Sequence, residues 1–66
     1  MSLTRMVTRI SKLRAARDMT QEDLARKAGV SVGYIARLET GRHDPKVGTL
    51  LKVAKALGVP VTELLE

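Results

Sequence analysis

Apolar residues recur every three or four positions along most of the chain, and the breaks between these runs fall at residues that cap helices. Met6, Ile10 and Leu13 set a first stripe, with Arg5, Arg9 and Lys12 on the wetter sides, predicting a helix over about Arg5–Arg17. Asp18 and Met19 break it. Thr20 then reads as an N-cap, and Gln21, Glu22 and Asp23 fill the first turn, where acids suit the positive end of the helix dipole. Met19 and Leu24 can close a hydrophobic staple. Leu24, Ala25 and Ala28 form the second stripe, ended by Gly29. Ser31 caps a third helix that carries Ile35 and Leu38 inward to Glu39, with Val30 and Ile35 as its staple and Gly41 as its stop. A polar loop, Arg42-His43-Asp44-Pro45, follows. A fourth helix is expected from about Val47 to Leu57, with Leu50, Val53, Ala54 and Leu57 inward, and Gly58 stops it. Pro60 can start a short last helix over Val61–Leu65.

A length of 66 residues allows one domain with a thin core. The domain is expected over residues 5–66, with residues 1–4 outside it. There is no cysteine, hence no disulfide and no thiolate metal site. No apolar run is long enough to cross a bilayer, and no stretch resembles a signal peptide, so a cytoplasmic protein is expected. Twelve Lys and Arg against seven Asp and Glu leave a formal net charge of +5. Such a balance favours a polyanionic partner without proving one, because neutralised phosphates release counterions. With one Tyr and no Phe or Trp, the stacking platforms of single-strand binders are missing, which leaves double-stranded backbone and groove contacts.

The informative junction is Ala28-Gly29-Val30-Ser31. Two short helices joined by so tight a turn must cross steeply, and Ala25 is small where they would meet. The third helix is left with one packed side. Its other side carries Val32, Gly33, Tyr34, Ala36 and Arg37, nearly free of carboxylates, as a helix entering a negatively charged groove requires.

The run from Thr20 to Ser31, then Tyr34 to Arg42, then Pro45 and Thr49 to Val59, resembles the helix-turn-helix family of phage repressor and Cro, of the xenobiotic-response-element type. The resemblance covers about Ile10 to Leu65. It implies an all-α, five-helix compact bundle, a lambda-repressor-like DNA-binding domain with its third helix in the major groove. It also implies roles. Gln21 matches a position that contacts the DNA backbone. Val32, Gly33 and Arg37 match positions facing base edges. Ser31, Thr40 and Arg42 match positions near phosphates. Arg14 and Glu39 match a partly buried salt bridge between the first and third helices. Two positions depart from the pattern. Members often carry Ser where Lys46 stands, and Lys46 cannot accept a capping bond. Base-reading positions often hold Gln or Asn, whereas Val32 and Gly33 offer no side-chain hydrogen bond.

Each of these residues also has a plainer reading. Arg37 can take guanine O6 and N7 in a bidentate contact, or simply meet phosphate or solvent. Val32 can touch a thymine methyl or stand as an ordinary first-turn residue. Gly33 has value only as a place of close backbone approach. Tyr34 can bond a phosphate through its hydroxyl or lay its ring over a neighbouring helix. Gln21 suits a phosphate at a helix N-terminus, or merely fills the first turn. Lys52 and Lys55 read as a solvated face, Glu22, Asp23 and Glu63 as surface charges, and His43 has no partners for a metal. No nucleophile–base pair, glycine-rich phosphate loop or metal cluster is present, so neither an enzyme nor a cofactor is expected.

These readings converge on a sequence-specific binder of double-stranded DNA that regulates transcription as a repressor. It is expected to act as a homodimer joined through the C-terminal region, where Leu57, Val59, Val61, Leu64 and Leu65 exceed the needs of a thin core. Half-sites would then lie roughly 10 bp apart. Within the same resemblance stands an alternative, an antitoxin that binds a toxin protein and represses its own operon. A protein-only adaptor is a third option, which Arg37 and Arg42 oppose.

Overall fold

In a computed structural model the described residues form five α-helices: α1 Leu3–Ala16, α2 Gln21–Ala28, α3 Val32–Glu39, α4 Val47–Leu57 and α5 Thr62–Leu65. The structure describes residues 3–41 and 45–65, with side chains from residue 5 onward. α1 starts ahead of the predicted Arg5, since neither Leu3 nor Thr4 breaks a helix, and α5 starts one residue after the predicted Val61.

The helix ends follow local chemistry. Thr20 Oγ1 accepts the Asp23 N–H at 3.0 Å, and Asp23 Oδ2 accepts the Thr20 N–H at 2.9 Å, closing a reciprocal capping box at α2. Ser31 Oγ accepts the Tyr34 N–H at 3.1 Å and caps α3. Lys46 occupies the N-cap of α4 and offers no side-chain cap. At their C-termini α1, α2 and α4 end alike. The N–H groups of Met19, Val30 and Val59 return to the carbonyls of Arg14, Ala25 and Ala54. The residue before each of the three is left-handed.

α2 packs against both α3 and α4, while α1 packs against α3 and α5. Met6 and Ile10 of α1 meet Leu24, Ile35, Leu38, Leu50, Val53, Leu57 and Leu64 in one buried cluster. Ala25 and Ala28, both buried, let α2 approach its neighbours closely. Adding methylenes there would cost about 1–3 kcal/mol through overpacking. Val7 is also buried.

The surplus of C-terminal leucines has a different use from the expected one. Leu57 and Leu64 are fully buried in the chain's own core, and Val59 and Val61 pack half-buried against it. A domain with so few large residues elsewhere needs them inside. Of the five residues, Leu65 alone is exposed.

Candidate nucleic-acid interface

The turn Gly29-Val30-Ser31 sets α3 across α2. Gly29, at φ 73°, adopts a left-handed conformation that reverses the chain. Val30 half-buries in the angle, and Ile35 is fully buried beneath it. α3 is thereby pinned by Ile35 and Leu38, both without exposure, and turns its opposite side outward.

On that outward side Val32, Gly33 and Arg37 are exposed. A Cβ added at Gly33 would meet nothing within 4 Å, so the protein alone does not demand glycine there. Tyr34 and Ala36, expected to be exposed, are half-buried, and the Tyr34 ring packs against the core. Ser31 is exposed beside them. Its oxygen accepts the Tyr34 N–H, leaving the hydroxyl proton to donate. The Thr40 hydroxyl proton is already given to the Arg37 carbonyl at 2.9 Å. Arg42 and His43 lie outside the described residues.

Behind α3 a polar network ties the helices together. Arg14 of α1 donates from Nε to Glu39 Oε2 at 2.7 Å and from Nη2 to Glu39 Oε1 at 3.0 Å, a two-pronged pair. Arg14 Nη1 also donates to the Met19 carbonyl at 2.7 Å. The bonds to Glu39 hold the Arg14 guanidinium above its ordinary pKa, with burial working the other way and the carboxylate charge adding to the rise. Gln21 Nε2 donates to the same Glu39 Oε1 at 3.1 Å. This contact links residues 18 positions apart, and no local pattern signals it. The capping box likewise makes Asp23 more than the surface charge it was read to be. The hydrogen bonds from Thr20, that of the backbone first, hold the Asp23 carboxyl below the usual carboxylate value.

Lys52 and Lys55 are exposed. With Lys27 they rim an open groove floored by Ala28 and Ala56. Among the described residues no group of three or more His, Asp or Glu is placed to hold a metal. No described helix is long and apolar enough to cross a membrane.

Residues 10–64 match the helix-turn-helix family. An uncharacterized HTH-type transcriptional regulator of Methanocaldococcus jannaschii is 39% identical over 59 residues, covering 89% of this chain and 89% of that protein. The immunity repressor protein of Bacillus phage phi105 is 42% identical over 57 residues, which are 86% of this chain but 40% of the longer repressor. Among solved structures, the restriction-modification controller protein of Aeromonas hydrophila superposes with a TM-score of 0.91 at 32% identity, covering 94% of both chains. A helix pinned by two core residues, a tight left-handed turn before it and these relatives lead to one assignment: the chain belongs to the helix-turn-helix family of DNA-binding transcriptional regulators.

Proposed function

We propose that α3 enters the major groove of an operator and that the protein acts there as a repressor. The observation that carries this reading is the outward side of α3. Val32, Gly33 and Arg37 stand exposed while Ile35 and Leu38 hold the helix rigidly from behind. The one carboxylate of the helix, Glu39, is neutralised by Arg14, so the groove meets no unpaired negative charge from α3.

In this reading Val32, Gly33 and Arg37 face base edges. Gln21, Ser31, Tyr34, Thr40 and Arg42 serve the backbone. Ser31 has a free hydroxyl proton to give. Thr40 would have to withdraw its own from the Arg37 carbonyl. With no Gln or Asn on α3, DNA shape and deformability carry part of the specificity. Two copies pair about a two-fold axis through the C-terminal region. Leu65 supports this, and Val47 and Leu51, at 72% and 51% exposure, add apolar surface on α4. The name of the phi105 immunity repressor, a relative over most of this chain, supports repression. The site of action is the nucleoid.

The test is selection of bound duplexes from a random library, followed by a salt titration on the winner. An enriched palindrome with half-sites about one turn apart supports the dimeric operator reading. The log–log salt slope then counts the phosphates neutralised. A lone enriched half-site overturns the dimer, and no enrichment at all overturns operator binding.

A further inference from the structure

Gln21 carries the sole carboxamide in the sequence, for the chain has no asparagine and no second glutamine. Its Nε2 holds two protons. One is given to Glu39 Oε1. The side chain of Glu39 is 8% exposed. It therefore depends on its three N–H donors, two from Arg14 and one from Gln21. Withdrawing any of them leaves a largely dry carboxylate short of a partner, which costs more than the bond itself is worth. Gln21 is also the first residue of α2, directly after Thr20. The first turn of a helix leaves its leading N–H groups without helical partners, and the Thr20 hydroxyl takes only that of Asp23.

We infer that Glu39 is a positioning residue for the DNA contact at the start of α2: it keeps one Nε2 proton of Gln21 in the free and bound states alike, so that the other Nε2 proton and the leading backbone N–H groups meet one phosphate as a preformed set. The inference rests on the DNA-binding reading above. Arg14 makes it electrostatically workable, because its two-pronged bond neutralises Glu39 and the phosphate meets no bare carboxylate. An amide already fixed by Glu39 also loses little rotamer freedom on binding. A consequence for specificity follows. Bidentate recognition of adenine needs the N–H and the carbonyl of one carboxamide on a single base edge. The chain has one carboxamide, and it is committed elsewhere, so no adenine is read that way.

The sequence itself makes the test clean, since its one carboxamide yields a single pair of side-chain amide signals, on one nitrogen, in nitrogen–proton correlation NMR. In the free protein its two protons should differ, one being protected from exchange with water. On titration with the selected duplex, the protected proton should hold its position and its protection. The other should shift together with the backbone N–H groups of Gln21 and Glu22. Loss of protection with movement of both protons overturns the inference, because Gln21 has then left Glu39. An unmoved pair, with α3 amides shifting, also overturns it, because the side chain then takes no part. Both results leave DNA binding intact. No shift anywhere, with any duplex, removes the DNA reading and this inference with it. As an independent check, Gln21→Ala should weaken binding about fivefold on every sequence alike. An unchanged affinity would again overturn the phosphate contact.

Discussion

Arg14 and Glu39 stand 25 positions apart and meet through two hydrogen bonds of 2.7 and 3.0 Å, joining α1 to α3. Their side chains are 18% and 8% exposed, so neither charge is well hydrated when alone. Removing one partner should therefore cost more than the pair contributes. Arg14→Ala or Glu39→Ala is expected to lower stability by about 2–3 kcal/mol, which a domain of this size registers as roughly 15 °C in Tm. Replacing both with Met and Leu should recover most of that loss. Equal losses in the double and single variants would show that the bonds to Met19 and Gln21, rather than the stranded charge, set the cost.

What could be read from the residues alone divides along the same line. Thr20, Gly29, Ser31 and Gly58 mark helix ends because capping is chemistry between near neighbours, and the structure ends the helices there. The inward positions of α2, α3 and α4 follow from periodicity. Periodicity does not say what lies opposite, so Leu57 and Leu64 looked like surplus for a second copy although the core consumes them. Tyr34 looked exposed for the same reason. The bond from Gln21 to Glu39 depends on the angle at which α2 and α3 cross, which no spacing encodes. The capping box at Asp23 was within reach, but its third position usually holds Glu or Gln, and an Asp there reads first as a dipole charge.

Asp18 holds the left-handed position at the end of α1 with φ 53°, where α2 and α4 use Gly29 and Gly58. A side chain costs energy in that conformation, and a carboxylate at the negative end of a helix adds to the cost. Asp18→Gly should stabilise the protein by about 1 kcal/mol, while Gly58→Ala should destabilise it by a similar amount. Thermal melts of the two variants check the pair. A neutral Asp18→Gly would mean that the carboxylate offsets its own strain.

The Asp23 carboxyl titrates below its ordinary value because Thr20 bonds its charged form. A carboxyl with a depressed folded-state value stabilises the fold above its unfolded pKa, about 3.9. That stabilisation is lost as pH falls through the folded value. Arg14 contributes no such window, since its raised value leaves it fully charged from acid to neutral pH. Denaturant midpoints should thus hold from neutrality to about pH 5 and fall below it. Asp23→Asn should lower the neutral midpoint and shrink the acid drop. An identical acid limb in that variant would remove the capping box as its source.

Arg37 is exposed on α3 and makes no ion pair among the described residues. If it reads guanine, Arg37→Ala should erase preference at one base pair, worth about 1–3 kcal/mol of discrimination. Binding curves on the selected duplex and its single-base variants measure this. A uniform loss on every duplex, with a salt slope smaller by about 1, would assign Arg37 to phosphate instead.

Gly33 separates folding from function most sharply. It lies inside α3 with no unusual φ, and a Cβ there would touch nothing within the protein. Gly33 is the second residue of α3, so glycine there is worse than alanine by less than the helix-interior penalty of about 0.8–1.0 kcal/mol. Gly33→Ala should accordingly raise the melting temperature slightly, by about 1–3 °C. Glycine at a position where the fold does not require it makes sense if another backbone comes close, as DNA would in the proposed major-groove reading of α3. The same variant should then bind the selected duplex more weakly, with its stability gain intact. A variant both more stable and equally tight would show that nothing approaches Gly33, and would move the base contacts of α3 toward Val32 and Arg37.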